Sequence, residues 1–198
     1  MNVVETGIPG VRIIEPDVFG DNRGWFCETY NAERYRKAGI DDVFLQDNES
    51  FSSKGVVRGL HWQAPPHTQA KLIRVVHGAV WDVAVDIRKG SPTFGKHVAV
   101  VLSSENRRQL YIPRGFAHGF FVLSDEAISS YKCSDFYYPE DEDGLMWNDP
   151  TINVDWFGAA QVAGQSVEPI LSEKDKKHPS FDPQKKYFNF DASAWLGD

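Results

Sequence analysis

The run from Lys71 to Cys133 constrains the fold more than any other part of this chain, because it is a succession of short segments built for strands. Lys71–His77 leads through Gly78 into Ala79-Val80-Trp81-Asp82-Val83-Ala84-Val85-Asp86-Ile87, where the odd positions form an apolar face of period two. Such alternation predicts a half-buried strand. Lys89-Gly90-Ser91-Pro92 breaks the chain before residues 97–102, and Ser103-Ser104-Glu105-Asn106 breaks it again before residues 108–112. Residues 116–123 and 127–133 complete the series. One helix signal stands beside them: Asn31 can cap residues 32–38, and Gly39 can end them. Many short strands with Gly and Pro turns predict a mainly-β antiparallel sandwich or jelly roll with a few short helices, its interior serving as a cavity, rather than an alternating α/β fold.

The 198 residues suffice for one substantial domain, which at this size buries roughly 70% of its unfolded surface. A single domain over 1–198 is expected, with 176–198 a tail packed on it, since that stretch is too short for its own core. Cys27 and Cys133 form neither a CxxC unit nor a dense framework, which points to packing roles in a reduced setting. The N-terminus carries Glu5 and no long apolar run, so a cytoplasmic protein with no membrane partner is expected. A net charge of −7 and pI near 5.4 argue against nucleic acid, whose binding needs a broad basic face. Local anion binding is compatible with that charge: Arg23, Arg58, Lys71 and Arg88 can neutralise a diphosphate.

The chemistry concentrates in Arg58-Gly59-Leu60-His61-Trp62-Gln63, Gln69-Ala70-Lys71-Leu72 and Ile112-Pro113-Arg114-Gly115-Phe116-Ala117-His118-Gly119-Phe120. A metal site is one reading of two histidines in a jelly roll, but metal-binding cupins place a His-x-His pair on one strand, and here Gly59 precedes His61 by two. The cation Lys71 on the following strand also repels a metal ion. Proton abstraction beside a carbonyl fits better: it needs a base, a donor for the enolate oxygen and an acid. His61 is the candidate base, Lys71 the enolate stabiliser and Tyr131 a proton donor from the opposite face. Strict alternation puts Arg58 and His61 on opposite strand faces; both reach one cavity if Gly59 marks a bulge. If His61 and Lys71 are instead structural, a non-catalytic nucleotide-sugar binding module remains.

Together with Phe19-Gly20-Asp21-Asn22-Arg23-Gly24, Gln46-Asp47-Asn48-Glu49-Ser50, Asp86-Ile87-Arg88, Trp147-Asn148-Asp149-Pro150 and Leu171-Ser172-Glu173-Lys174-Asp175, these passages resemble the dTDP-4-dehydrorhamnose 3,5-epimerase family over nearly the whole chain. The resemblance implies a cupin-like, double-stranded antiparallel jelly roll, a homodimer, and no metal or organic cofactor. It implies inversion of C3 and C5 in a dTDP-linked 4-keto-6-deoxyhexose, with single-site epimerisation or ketoisomerisation of a related sugar as alternatives. By the same resemblance His61 is the base, Asp175 its orienting partner, Lys71 the enolate stabiliser and Tyr131 the opposing acid. Phe19, Arg23, Glu28, Gln46, Asn48, Arg58, Lys71, His118, Tyr137 and Glu142 match substrate-binding positions, some of them reaching a partner subunit. Trp62 replaces the family's usual phenylalanine, and the loop 157–168 is longer than usual, which predicts a different pocket rim.

Overall fold

A computed structural model describes residues 1–158 and 168–191. In chain order the first strands are β1 (Asn2–Glu5), β2 (Arg12–Glu15), β3 (Val18–Asp21) and β4 (Gly24–Cys27). After helix α1 (Ala32–Lys37) come β5 (Gln46–Ser53), β6 (Val57–Gln63), β7 (Lys71–His77), β8 (Ala79–Asp86) and β9 (Arg88–Lys89). Then follow β10 (His97–Ser103), β11 (Gln109–Ile112), β12 (Phe116–Val122), β13 (Glu126–Cys133), β14 (Glu142–Gly144) and β15 (Phe188–Asn189). Among the described residues the other named helical elements are 3-10 turns at Pro139–Asp141 and Asp175–Lys177. The helix starts as its sequence predicts, with the Asn31 side-chain oxygen accepting from the backbone N–H groups of Glu33 and Arg34. It ends at Gly39, whose φ of +76° suits glycine.

Two antiparallel sheets, ordered β1-β2-β11-β7-β13-β5 and β10-β8-β12-β6-β14, make a cupin-like jelly roll. Ile73, Val75, Leu110 and Ile112 from the first sheet meet Val80, Ala84, Phe116 and Phe120 from the second in the core between them. A second apolar layer behind β8, β12 and β6 gathers Val83, Val85, Phe121 and Leu60 with Leu145, Trp156 and Phe181 from the C-terminal part of the chain. A third, behind β7 and β11, packs Tyr35 of α1 against Leu72 and Tyr111. The segment after residue 168 is stitched on by a Val56–Ile170 bridge and by β15, which runs parallel to β9.

Strand β8 departs from the half-buried expectation. Its odd residues enter the outer layer, but its even residues Val80, Asp82, Ala84 and Asp86 are also 0% exposed. Alternation of apolar and acidic residues suggested a wet face, whereas the carboxylates are buried because each has a dedicated partner. Asp86 takes a bidentate grip from Arg88 (Nε–Oδ1 2.9 Å, Nη2–Oδ2 2.7 Å) and hydroxyl bonds from Ser91 and Thr93. Arg88, 4.3 Å above the Phe116 ring centroid, is thereby a structural cation and not a diphosphate ligand, contrary to the sequence expectation. The loop 159–167, with most of the proposed insertion, lies outside the described residues, as do 192–198. Trp62 sends its ring into the outer layer, edge-on to Tyr187 at 5.7 Å.

Burial pushes the Asp86 carboxyl up, but its bonds to Arg88, Ser91 and Thr93 prevail and hold it below the ordinary aspartate range. A carboxylate lowered in the folded state contributes stability above its unfolded pKa, and that contribution is lost as pH falls through the folded value. Asp86→Asn is therefore expected to lower stability at neutral pH by about 3–5 kcal/mol, because Arg88 keeps its charge without its counterion. Thermal melts across acidic pH should show the gap between wild type and variant closing below the ordinary aspartate pKa; a constant gap would exclude the Asp86 charge as its source.

Candidate active site

The inward faces of β5, β6, β7, β12 and β13 surround a cavity of about 240 Å³ lined by Ser50, Arg58, His61, Lys71, His118, Gly119, Phe120, Tyr131, Ser172, Lys174 and Asp175. Period two places most of these groups. On β5, Gln46, Asn48, Ser50 and Ser52 are more buried than the intervening exposed residues, and on β13 the odd positions run inward to Tyr131. Strand β6 cannot follow this rule and still present both Arg58 and His61. Its pairing with β12 matches His61 to His118 but Arg58 to Phe120, three residues on one strand against two on the other. The extra residue is a bulge that returns both side chains to one face. Leu60 and Val57 then both point into the outer layer.

Gly59 has φ +111°, and a Cβ there would stand 2.6 Å from both Gly119 Cα and the His118 carbonyl oxygen. A Cβ on Gly119 would stand 2.6 Å from the Arg58 carbonyl oxygen. The two glycines thus allow a backbone approach that neither L-residue side chain permits.

His61 Nε2 lies 2.5 Å from Asp175 Oδ1, across 114 residues of sequence. Burial pushes the Asp175 carboxyl up, yet the hydrogen bond and charge of His61 outweigh it and hold the group low, so it is ionised at neutral pH. A carboxylate on Nε2 requires the proton there, leaving Nδ1 as the basic nitrogen. Ser172 fixes the turn by accepting from the Asp175 backbone N–H at 3.1 Å. Lys71 Nζ stands 6.0 Å from the Tyr131 ring centroid, and burial pushes its pKa down. Burial also pushes the Tyr131 phenol up, keeping it a proton donor at neutral pH.

A smaller adjoining cavity of about 110 Å³ shares His61, Lys71 and Tyr131 and adds Gln46, Asn48, Tyr137 and Glu142. There the Tyr137 hydroxyl donates to Glu142 at 2.6 Å, and Lys174 pairs with the same carboxylate. Phe19, Arg23 and Glu28 line neither cavity. Phe19 and Arg23 sit on the β3–β4 hairpin, with Arg23 85% exposed and paired to Asp21, while Glu28 pairs with Arg34. Sequence reasoning missed Asp82, which holds His118 Nε2 at 2.9 Å, and His178, whose ring lies edge-on to His61 at 5.3 Å. The signal for Asp82 was its even position on a strand with Val80 and Ala84; nothing near His178 announced its neighbour.

A jelly roll enclosing a histidine–carboxylate dyad opposite a lysine and a tyrosine carries the kinds of group that an enzyme moving protons beside a carbonyl needs. Residues 5–183 match the family description dTDP-4-dehydrorhamnose 3,5-epimerase. An enzyme of that name from Shigella flexneri is 54% identical over 176 residues, 88% of this chain and 93% of its own. The solved dTDP-6-deoxy-D-glucose-3,5-epimerase of Legionella pneumophila, in complex with dTDP-4-keto-L-rhamnose, superposes with a TM-score of 0.88 at 47% identity, covering 96% of this chain and 99% of that one. A 3'-monoepimerase from Streptomyces bikiniensis in complex with dTDP-quinovose gives 0.80 at 35% identity, covering 88% and 85%. This chain belongs to the dTDP-4-dehydrorhamnose 3,5-epimerase family, whose members are isomerases acting on carbohydrates.

Gly59→Ala should separate fold from site. Displacing His61 by about 1 Å is expected to cost on the order of 10²-fold in turnover, while circular dichroism still reports a β-rich protein. Wild-type turnover in a folded Gly59→Ala variant would show that the bulge does not position the dyad.

Proposed function

We propose that this chain inverts C3 and C5 of dTDP-4-keto-6-deoxy-D-glucose, giving dTDP-4-keto-L-rhamnose, without a metal or organic cofactor. The observation that carries the reading is the His61–Asp175 dyad sharing one cavity with Lys71 and Tyr131. The C4 ketone acidifies both neighbouring carbons. His61 Nδ1 takes the proton from one of them, and Asp175 stabilises the resulting imidazolium. The C–H electron pair moves into an enolate whose oxygen Lys71 stabilises. Tyr131 delivers a proton to the opposite face, completing inversion; the same steps at the second carbon complete the reaction. Turnover requires His61 to lose its proton and Tyr131 to regain one, with no net redox change.

In this reading the sugar occupies the larger cavity, where Arg58 and His118 provide polar contacts, and Gln46, Asn48, Tyr137 and Glu142 extend the site beside it. Phe19, Arg23 and Glu28 serve a partner subunit's substrate, as a homodimer allows. Support comes from the hairpin: Val18, Phe19, Trp25 and Phe26 are all exposed large apolar residues, a patch that a second copy would cover. We further propose one domain with 176–198 as its tail, acting in the cytoplasm; no described helix is long and apolar enough to cross a membrane. A second reading, inversion at one carbon, draws on the likeness to the Streptomyces monoepimerase.

His61→Ala should retain the fold and lose about 10²–10⁴-fold in turnover. Tyr131→Phe should keep deuterium wash-in from D₂O while losing epimer formation, because enolate formation survives without the opposing donor. NMR of exchange at C3 and C5 alongside product stereochemistry distinguishes all these readings. Near wild-type exchange by His61→Ala would remove His61 as the base, and exchange at one carbon would establish the monoepimerase reading.

Assembly is tested by light scattering together with activity. A dimer is expected, and Phe26→Asp on the exposed hairpin should shift it toward monomer and reduce activity. A fully active monomer would rule out the shared site.

A further inference from the structure

His178 lies outside every role assigned above. Its Nε2 is buried and, among the described residues, has no hydrogen-bond partner. It stands 3.7 Å from Asp175 Oδ1, beyond hydrogen-bonding reach, and that same oxygen already holds His61. The ring is held in place: it lies against the Cα of Gly144, where any Cβ would collide with it. An orphaned buried nitrogen costs stability unless something occupies it.

We propose that His61, Asp175 and His178 form a binding site for Zn²⁺ or a similar borderline divalent transition ion, and that the ion inhibits the enzyme by occupying its base. The ligand atoms of the three residues all lie within 4.8 Å of one another. Tetrahedral bonds of about 2.0–2.1 Å set ligand atoms roughly 3.3 Å apart, a spacing bracketed by the 2.5 Å and 3.7 Å separations around Asp175 Oδ1. Small adjustments therefore seat an ion. Two imidazoles and a carboxylate are a donor set suited to zinc, and His61 and Asp175 both line the cavity, which leaves a position open to water.

An ion on His61 Nε2 moves the ring proton from that nitrogen to Nδ1, capping the lone pair that acts as the base, and the metal–ligand bonds form without any redox change. Lys71 opposes a cation in the cavity, but it stands on β7 in the facing sheet, whereas this triad joins β6 to the C-terminal 3-10 turn. The ion is an inhibitor here, distinct from the metal of a metal-dependent cupin. Inhibition rests on His61 being the base; binding does not.

The experiment uses the whole protein stripped of metal. Titration with Co²⁺ should give one equivalent bound with the visible absorption of a four-coordinate ion, and Zn²⁺ should displace it. Zn²⁺, unlike Mg²⁺, should inhibit turnover reversibly, with EDTA restoring it. His178→Ala should retain metal-free activity and raise the Zn²⁺ concentration for half-inhibition by at least about tenfold, comparable to the about 10–100-fold loss when an outer-shell partner is removed. His178→Gln, which preserves a polar side chain at the site, should behave alike and provides the test if the alanine variant does not fold. Absence of stoichiometric Co²⁺ binding, or unchanged Zn²⁺ sensitivity in a folded His178 variant, would overturn the proposal. Binding at this triad without inhibition would retain the metal site but overturn both the inhibitory role and His61 as the base.

Discussion

The site depends on a contact with no side chains in it: the approach of Gly59 to Gly119 across β6 and β12. Hydrogen-bonded strands alternate their side chains, so a cavity between two sheets receives every second residue from each. Arg58 and His61, three apart, break that parity. The bulge restores it by adding one residue to β6, and its tight backbone approach requires glycine on both strands. From that adjustment follow the inward direction of His61, its meeting with Asp175, and the outward burial of Leu60 and Trp62 in the second apolar layer.

The same architecture explains why carboxylates lie so deep. Asp82, Asp86 and Asp175 are buried, each beside a cationic or imidazole partner, and each carries a different duty. Asp86 ties down the turn after β8, Asp82 holds His118, and Asp175 orients His61. Buried charge without a partner would be expensive; arranged in this way, it ties distant parts of the chain to the barrel. The contrast with Lys71 is instructive. Burial lowers its pKa, and no carboxylate forms an ion pair with it among the described residues, which suits a donor awaiting negative charge on a substrate.

Much of the fold was legible because its cause is local. Alternation located β8, the Gly, Pro and polar breaks around it set off the neighbouring strands from β7 to β13, and the Asn31 and Gly39 signals bounded α1. Strand β5 was harder to recognise from residues alone: Gln46-Asp47-Asn48-Glu49-Ser50 favours turns, and antiparallel pairing to β13 makes it a strand. Arg88 was misread for a related reason. Its charge suited phosphate, but the buried carboxylate two residues earlier on the chain claims it.

The sequence by itself determined the strand-rich class, the capped helix, the family resemblance and the residue types needed for proton transfer, since these follow from periodicity and from motifs within short segments. Only the tertiary structure decided which further groups meet. The family resemblance had already paired His61 with Asp175, which meet across 114 residues, but His118 finds Asp82 and His178 comes to rest beside both dyad members only in the folded chain. Those encounters depend on sheet register, on one extra residue in β6 and on the path of the C-terminal segment over the barrel. Such long-range contacts arise when separate apolar faces share one core, so no local pattern along the chain encodes them.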